Sequence, residues 1–158
     1  MAAELPNVSQ DLVWGIVSTN NAFLVKRRSL GKTANFSRDP LNLKNVHSRK
    51  HAGFAHDKAI GVQSGEKGAI QVISKKVQKA QQPAEGLNVV TFGSGTSTRK
   101  TYKAVANLAA RRSYRSDLRQ AAVERVSALR RAERPVKPEP ERKLRGNKAK
   151  KAAAAEEV

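Results

Sequence analysis

Apolar positions near the start of the chain recur at helical spacing. Leu12, Val13, Ile16 and Val17 fall on one stripe and predict a helix over residues 9–19, with Ser9 as its N-cap and Asp11 favouring its positive end. Trp14 lies off the centre of that stripe and is assigned to the core. After the Asn20-Asn21 turn, Phe23 and Val25 alternate with Leu24 and Lys26, a strand pattern that leaves the core into the basic run Lys26-Arg27-Arg28. From 29 to 57 the periodicity is poor. Turn-forming residues dominate there, with Phe36, Leu41, Leu43, Val46 and Phe54 as scattered anchors. A hairpin then stands out, in which 59–63 and 69–73 alternate around the glycine-containing turn 64–68. A third strand is expected over 87–92, followed by a flexible Gly93-Ser94-Gly95 connector.

Two helices complete the pattern. The first, 98–112, places Tyr102, Val105, Ala106 and Ala109 at i, i+3, i+4 and i+7. The second begins at Ser116, carries the stripe Leu118, Ala121, Ala122, Val126 and Leu129, and ends before Pro135. Arg119, Arg125, Arg130, Arg131 and Arg134 are expected to point outward. The predicted class is α+β: a domain over 1–92, with the N-terminal helix on one small antiparallel sheet that holds strand 23–26 and the hairpin. A basic helical extension follows over 93–134. A low-complexity basic tail over 135–158 cannot bury enough apolar area to offset its ordering entropy, and is expected to be disordered when free.

Charge changes the picture more than composition does. The chain of 158 residues holds 31 Lys and Arg against 13 Asp and Glu, a net charge of +18. Self-repulsion of that size favours a polyanionic partner. No basic residue precedes Lys26; the rest fall in three blocks, 26–79, 99–134 and 137–151. Cysteine is absent, which removes disulfides, thiolate nucleophiles and cysteine-ligated zinc. The opening residues do not read as a signal peptide, and no apolar run reaches the roughly 18–20 residues that span a bilayer.

Catalysis lacks the necessary groups. His47, His51 and His56 lie in one loop beside Asp57, but Arg49, Lys50 and Lys58 surround them and oppose a cation. The Gly93-Ser94-Gly95 stretch is not followed by the lysine of a phosphate loop. No catalytic residue, metal, cofactor, membrane or small-molecule substrate is therefore expected. Between 99 and 134, nine Arg and two Lys face only Asp117, Glu124 and Glu133. A solvated helix face would carry acids near parity. Arginine's planar fork grips phosphate oxygens, so backbone recognition of a folded nucleic acid is expected. The candidate contacts are Lys26, Arg27, Arg28, Arg49, Lys50, Lys58, Arg99, Lys100, Lys103, Arg111, Arg112, Arg115, Arg119, Arg125, Arg130, Arg131 and Arg134.

Several stretches are familiar as a set. Asp11-Leu12-Val13-Trp14, Asn20-Asn21 and 23–27 resemble the start of a eukaryote-specific family of large-subunit ribosomal proteins, number twenty-eight in the eukaryotic naming. Residues 39–45, with Ser48, Lys50, Gly53-Phe54 and 58–62, look like its central motif. Tyr114-Arg115-Ser116-Asp117-Leu118-Arg119 is similar to its Tyr-Arg-Pro-Asp-Leu-Arg signature, with Ser116 in place of proline. The resemblance covers residues 9–134 in order. It implies a structural constituent of the cytosolic large subunit that passes through the nucleolus during assembly. Its partners would be ribosomal RNA and neighbouring ribosomal proteins. The alternative is a nucleolar assembly factor sharing the domain, although that branch carries cysteines and a long acidic C-terminal region.

Overall fold

A computed structural model describes residues 8–29, 32–79, 82, 84–140, 143 and 145–147. Helix α1 (Gln10–Val17) is followed by strands β1 (Leu24–Ser29) and β2 (Lys32–Ser37). Next come β3 (Ile60–Ser64), β4 (Ile70–Lys75) and β5 (Leu87–Phe92), and then helices α2 (Thr98–Ala110) and α3 (Arg119–Ala132). The α+β class stands. Most of the expected disordered tail lies outside the described residues.

The hairpin forms where alternation placed it, with Val62 opposite Val72, and β5 extends it on the other side of β4. Ile70, Val72 and Ser74 are the buried positions of β4, every second residue, as a sheet covered on one face requires. Helices α2 and α3 cover that face. Ile60, Ile70, Val72, Val105 and Val126 are fully buried together, each contributing roughly 1.5–3 kcal/mol of burial. Ala109, Ala121 and Ala122 let the two helices approach closely, and Leu118, just before α3, packs into the same cluster. The core thus runs across residue 92, joining strand and helix residues in one cluster.

Three expectations are corrected. Strand β1 does not join the main sheet; it pairs antiparallel with β2 in a separate two-stranded sheet. The β2 segment, Lys-Thr-Ala-Asn-Phe-Ser, lies in the stretch that showed no pattern. Its hairpin leaves Phe36 44% exposed, so burial imposes no apolar period on it. Helix α1 packs against the short turn Gly53–Ala55 and not on the sheet. It buries no residue fully and leaves Leu12 and Ile16 largely exposed. Its anchor is Trp14, whose ring lies 4.9 Å from His47 and 6.3 Å from Phe54, with Phe23 5.7 Å from Phe54 on the far side. Ser9 caps the helix as its sequence implied, accepting from the Leu12 N–H at 3.1 Å.

The third correction is Arg130, which does not point outward. It stands four residues after Val126 and therefore on the buried side of α3. Its Nη1 donates to the carbonyls of Gly68 (3.1 Å) and Ser94 (3.4 Å), and its Nη2 to Gly93 (3.0 Å). Two loops of the sheet are tied to α3 in this way.

Candidate nucleic-acid interface

The loop between β2 and β3 is held by its own polar side chains. Buried Asp39 accepts from the N–H groups of Leu41 (2.9 Å) and Phe54 (3.1 Å). The amide of Asn42 donates to Val46 O at 2.9 Å, and its oxygen accepts from Lys44 N–H at 3.1 Å. Gly53 and Gly61 let backbone segments touch here: a Cβ on Gly53 would stand 2.3 Å from Leu41 Cβ, and one on Gly61 2.4 Å from Pro40 O. Lys75 Nζ reaches in from β4 and donates to Gly53 O (2.7 Å) and His56 O (2.9 Å). Burial lowers its pKa, and the carboxylates of Asp39 and Asp57 oppose that shift.

The segment between α2 and α3 closes over this loop. Tyr114 Oη lies 2.7 Å from Lys75 O and 3.3 Å from Ala59 O, and burial raises its pKa. Arg115 donates from Nη1 to Lys58 O (2.9 Å) and from Nη2 to Lys50 O (2.8 Å). Its Nε and Nη2 also grip the two oxygens of Asp117, at 2.9 Å each. That bidentate bond holds the Asp117 carboxyl below its ordinary value. Arg115 therefore fixes the backbone that carries Lys50 and Lys58. Those two residues, Arg49 and Arg115 line one cleft of about 580 Å³, together with Gln10, His56, Asp57, Val77 and Asp117.

The three histidines do different things. His47 Nε2 lies 2.8 Å from Ser18 O, anchoring the end of α1. His56 joins Gln10 Oε1 to Arg49 O through its two ring nitrogens, while Gln10 donates its amide to Asp57. His51 is held below its ordinary pKa by burial, then by the Lys50 ammonium beside it. Among the described residues no three His, Asp or Glu side chains converge on a cation site. No helix among them is long and apolar enough to cross a membrane.

The expected contacts thus fall into groups. Arg49, Lys50 and Lys58 meet at the cleft, where Arg49 also pairs with Asp11. Lys26, Arg27 and Arg28 stand exposed on the separate hairpin. Arg99, Lys100, Lys103, Arg111, Arg112, Arg119, Arg131 and Arg134 are exposed on or beside α2 and α3, and Arg125 is half-buried. Arg115 and Arg130 direct their donors inward. Sequence reasoning did not foresee the positioning roles of Tyr114 and Asp117. The Tyr-Arg-x-Asp spacing is their only local signal.

Residues 12–132 match the model of the ribosomal L28e protein family. This chain belongs to that family. The large ribosomal subunit protein eL28 of Schizosaccharomyces pombe is 38% identical over 132 residues, covering 83% of this chain and 97% of that protein. The protein of the same name from Dictyostelium discoideum is 39% identical over 140 residues, 89% of this chain and all of that one. The L28e match runs from within α1 to the end of α3, so the hairpin, the helix pair and every residue lining the cleft except Gln10 lie within the family region. The stretches through which the sequence resembled the family now have physical roles. Asp39, Asn42, Gly53 and Gly61 shape the loop, and Tyr114 with Arg115 clamps it to the sheet.

Proposed function

We propose that this chain is a structural constituent of the cytosolic large ribosomal subunit. It grips ribosomal RNA phosphates with Lys and Arg side chains, packs beside neighbouring ribosomal proteins and catalyses no reaction. One observation carries the reading. Of the seventeen candidate side chains, Arg49, Arg115 and Arg130 pair with carboxylates among the described residues. The other fourteen meet no Asp or Glu there within ion-pair distance, leaving them available to an external polyanion. Their spread over hairpin, cleft and helices suits a surface laid against folded RNA rather than a reading head for bases.

The test is the salt dependence of binding by the full chain to large-subunit ribosomal RNA. If about 6–10 phosphates are neutralised, affinity falls roughly 10³–10⁵-fold between 50 and 200 mM salt. Replacing Arg99, Lys103, Arg119 and Arg131 with Gln flattens the slope by about 0.7–0.9 for each phosphate no longer neutralised. Replacing Lys148, Lys150 and Lys151 with Gln in the tail has less effect, because ordering a free segment offsets part of its contact energy. A flattened slope in the tail variant alone would move the RNA contacts off the helices.

A further inference from the structure

A second groove, of about 550 Å³, lies between α2 and the β4–β5 pair. Ala104, Asn107, Leu108 and Arg111, at i, i+3, i+4 and i+7, form its helical wall. Ser74 and Asn88, opposite each other in the β4–β5 register, form the strand side. Tyr114 and Arg112 line the same groove. No Asp or Glu does. The geometry points to a binding site for one unpaired RNA nucleotide, its base between the Tyr114 and Leu108 side chains and its phosphates on Arg111 and Arg112.

Three observations favour that occupant. The first is chemical: one aromatic ring, two aliphatic side chains, two carboxamides and two guanidiniums are the groups that stack a splayed base, bond its edge and hold its backbone. Among the described residues the Asn88 and Asn107 amides have no hydrogen-bond partner, unlike the loop amide of Asn42. The second is preorganisation. Tyr114 Oη is anchored on Lys75 O at 2.7 Å, so the ring is already in place.

The third is backbone strain. Just past α2 and its extended cap residue Arg111 come two consecutive left-handed residues, Arg112 (φ 54°) and Ser113 (φ 49°), and the Arg115 N–H donates back to Ala109 O at 3.0 Å. Glycine suits such a helix ending without steric cost. An arginine there is held in a strained conformation at the rim of the groove, as functional sites commonly show.

This inference rests on the RNA-binding reading, so its test separates the two. The full chain is titrated with two short RNA duplexes that differ by a single bulged 4-thiouridine. The bulged duplex should bind about tenfold tighter, the gain expected from seating one base. Irradiation should cross-link the bulge to the peptide spanning residues 104–114. Asn88→Ala with Asn107→Ala removes the bonds to the base edge, so it should weaken the preference and leave duplex affinity and its salt slope unchanged. Asn107→Ala alone, at an exposed helical position where alanine favours the helix, should reduce the preference without touching the strand. Equal affinity for both duplexes, with salt-dependent binding intact, overturns the groove and leaves the RNA reading standing. A preference undiminished in the double variant, or a cross-link outside the groove, also overturns it. Loss of salt-dependent binding to either duplex would instead remove the RNA reading itself.

Discussion

Replacing Arg115 with Gln separates a residue that shapes the RNA surface from one that touches RNA. The side chain is 14% exposed and donates to two carbonyls and a carboxylate. Both carbonyls lie near solvent and rehydrate when the guanidinium leaves, so each bond contributes about 1 kcal/mol. Asp117 is 43% exposed, which discounts the ion pair to about 0.5 kcal/mol. The sum, about 2–3 kcal/mol, corresponds to a fall in Tm of about 4–12 °C for a chain of this size. Thermal unfolding followed by circular dichroism reads it directly. The pH dependence gives a second check. Asp117 has a folded pKa below its ordinary 3.8, so the pair's contribution is complete above that value and is lost as pH falls through the folded pKa. The gap between wild type and variant should therefore narrow below about pH 4. An unchanged Tm, with the salt slope of RNA binding reduced by about 1, would make Arg115 an RNA contact and refute the argument.

Other perturbations follow from the same geometry. Arg112→Gly relieves a left-handed conformation that costs an L-residue roughly 1–2 kcal/mol, offset in part by the chain entropy glycine adds; the fold should gain about 0.5–1 kcal/mol while RNA affinity drops. Denaturant unfolding and RNA titration of the same preparation check both. Gly61→Ala drives a Cβ against Pro40 O and should cost about 2–3 kcal/mol by denaturant unfolding. Tyr114→Phe should cost about 1 kcal/mol at neutral pH. Because burial raises the Tyr114 pKa above its ordinary 10.0, its stabilising contribution is present below that value and fades as pH rises through the folded pKa. The difference between Tyr114→Phe and wild type should shrink in alkaline melts.

What the sequence disclosed depended on how each element is buried. The β3–β4 hairpin and the stripes of α2 and α3 face one core, so their periods were legible. Strand β2 pairs with a basic strand in a hairpin apart from the main sheet, where residues 33–36 all stay exposed and no alternation is imposed. Helix α1 misled because its most periodic apolar residues, Leu12 and Ile16, are exposed, whereas Trp14 makes the contact. The cationic surface was visible as charge without acids. The inward donors of Arg115 and Arg130 were not, because a guanidinium–carbonyl bond spanning 57 or 62 residues leaves no local pattern. Only the spacing of Arg130 from Val126, one helical turn, hinted at burial.

The proposed role is tested most directly by sedimentation. The tagged full chain, expressed in its own cells, is followed through a sucrose gradient of cytoplasmic and nuclear extracts. A structural constituent of the cytosolic large subunit co-migrates with mature large subunits, monosomes and polysomes, and leaves them only when salt rises enough to break its phosphate contacts. Recovery solely in nuclear precursor particles, with none in polysomes, would contradict that role and assign the chain to subunit assembly.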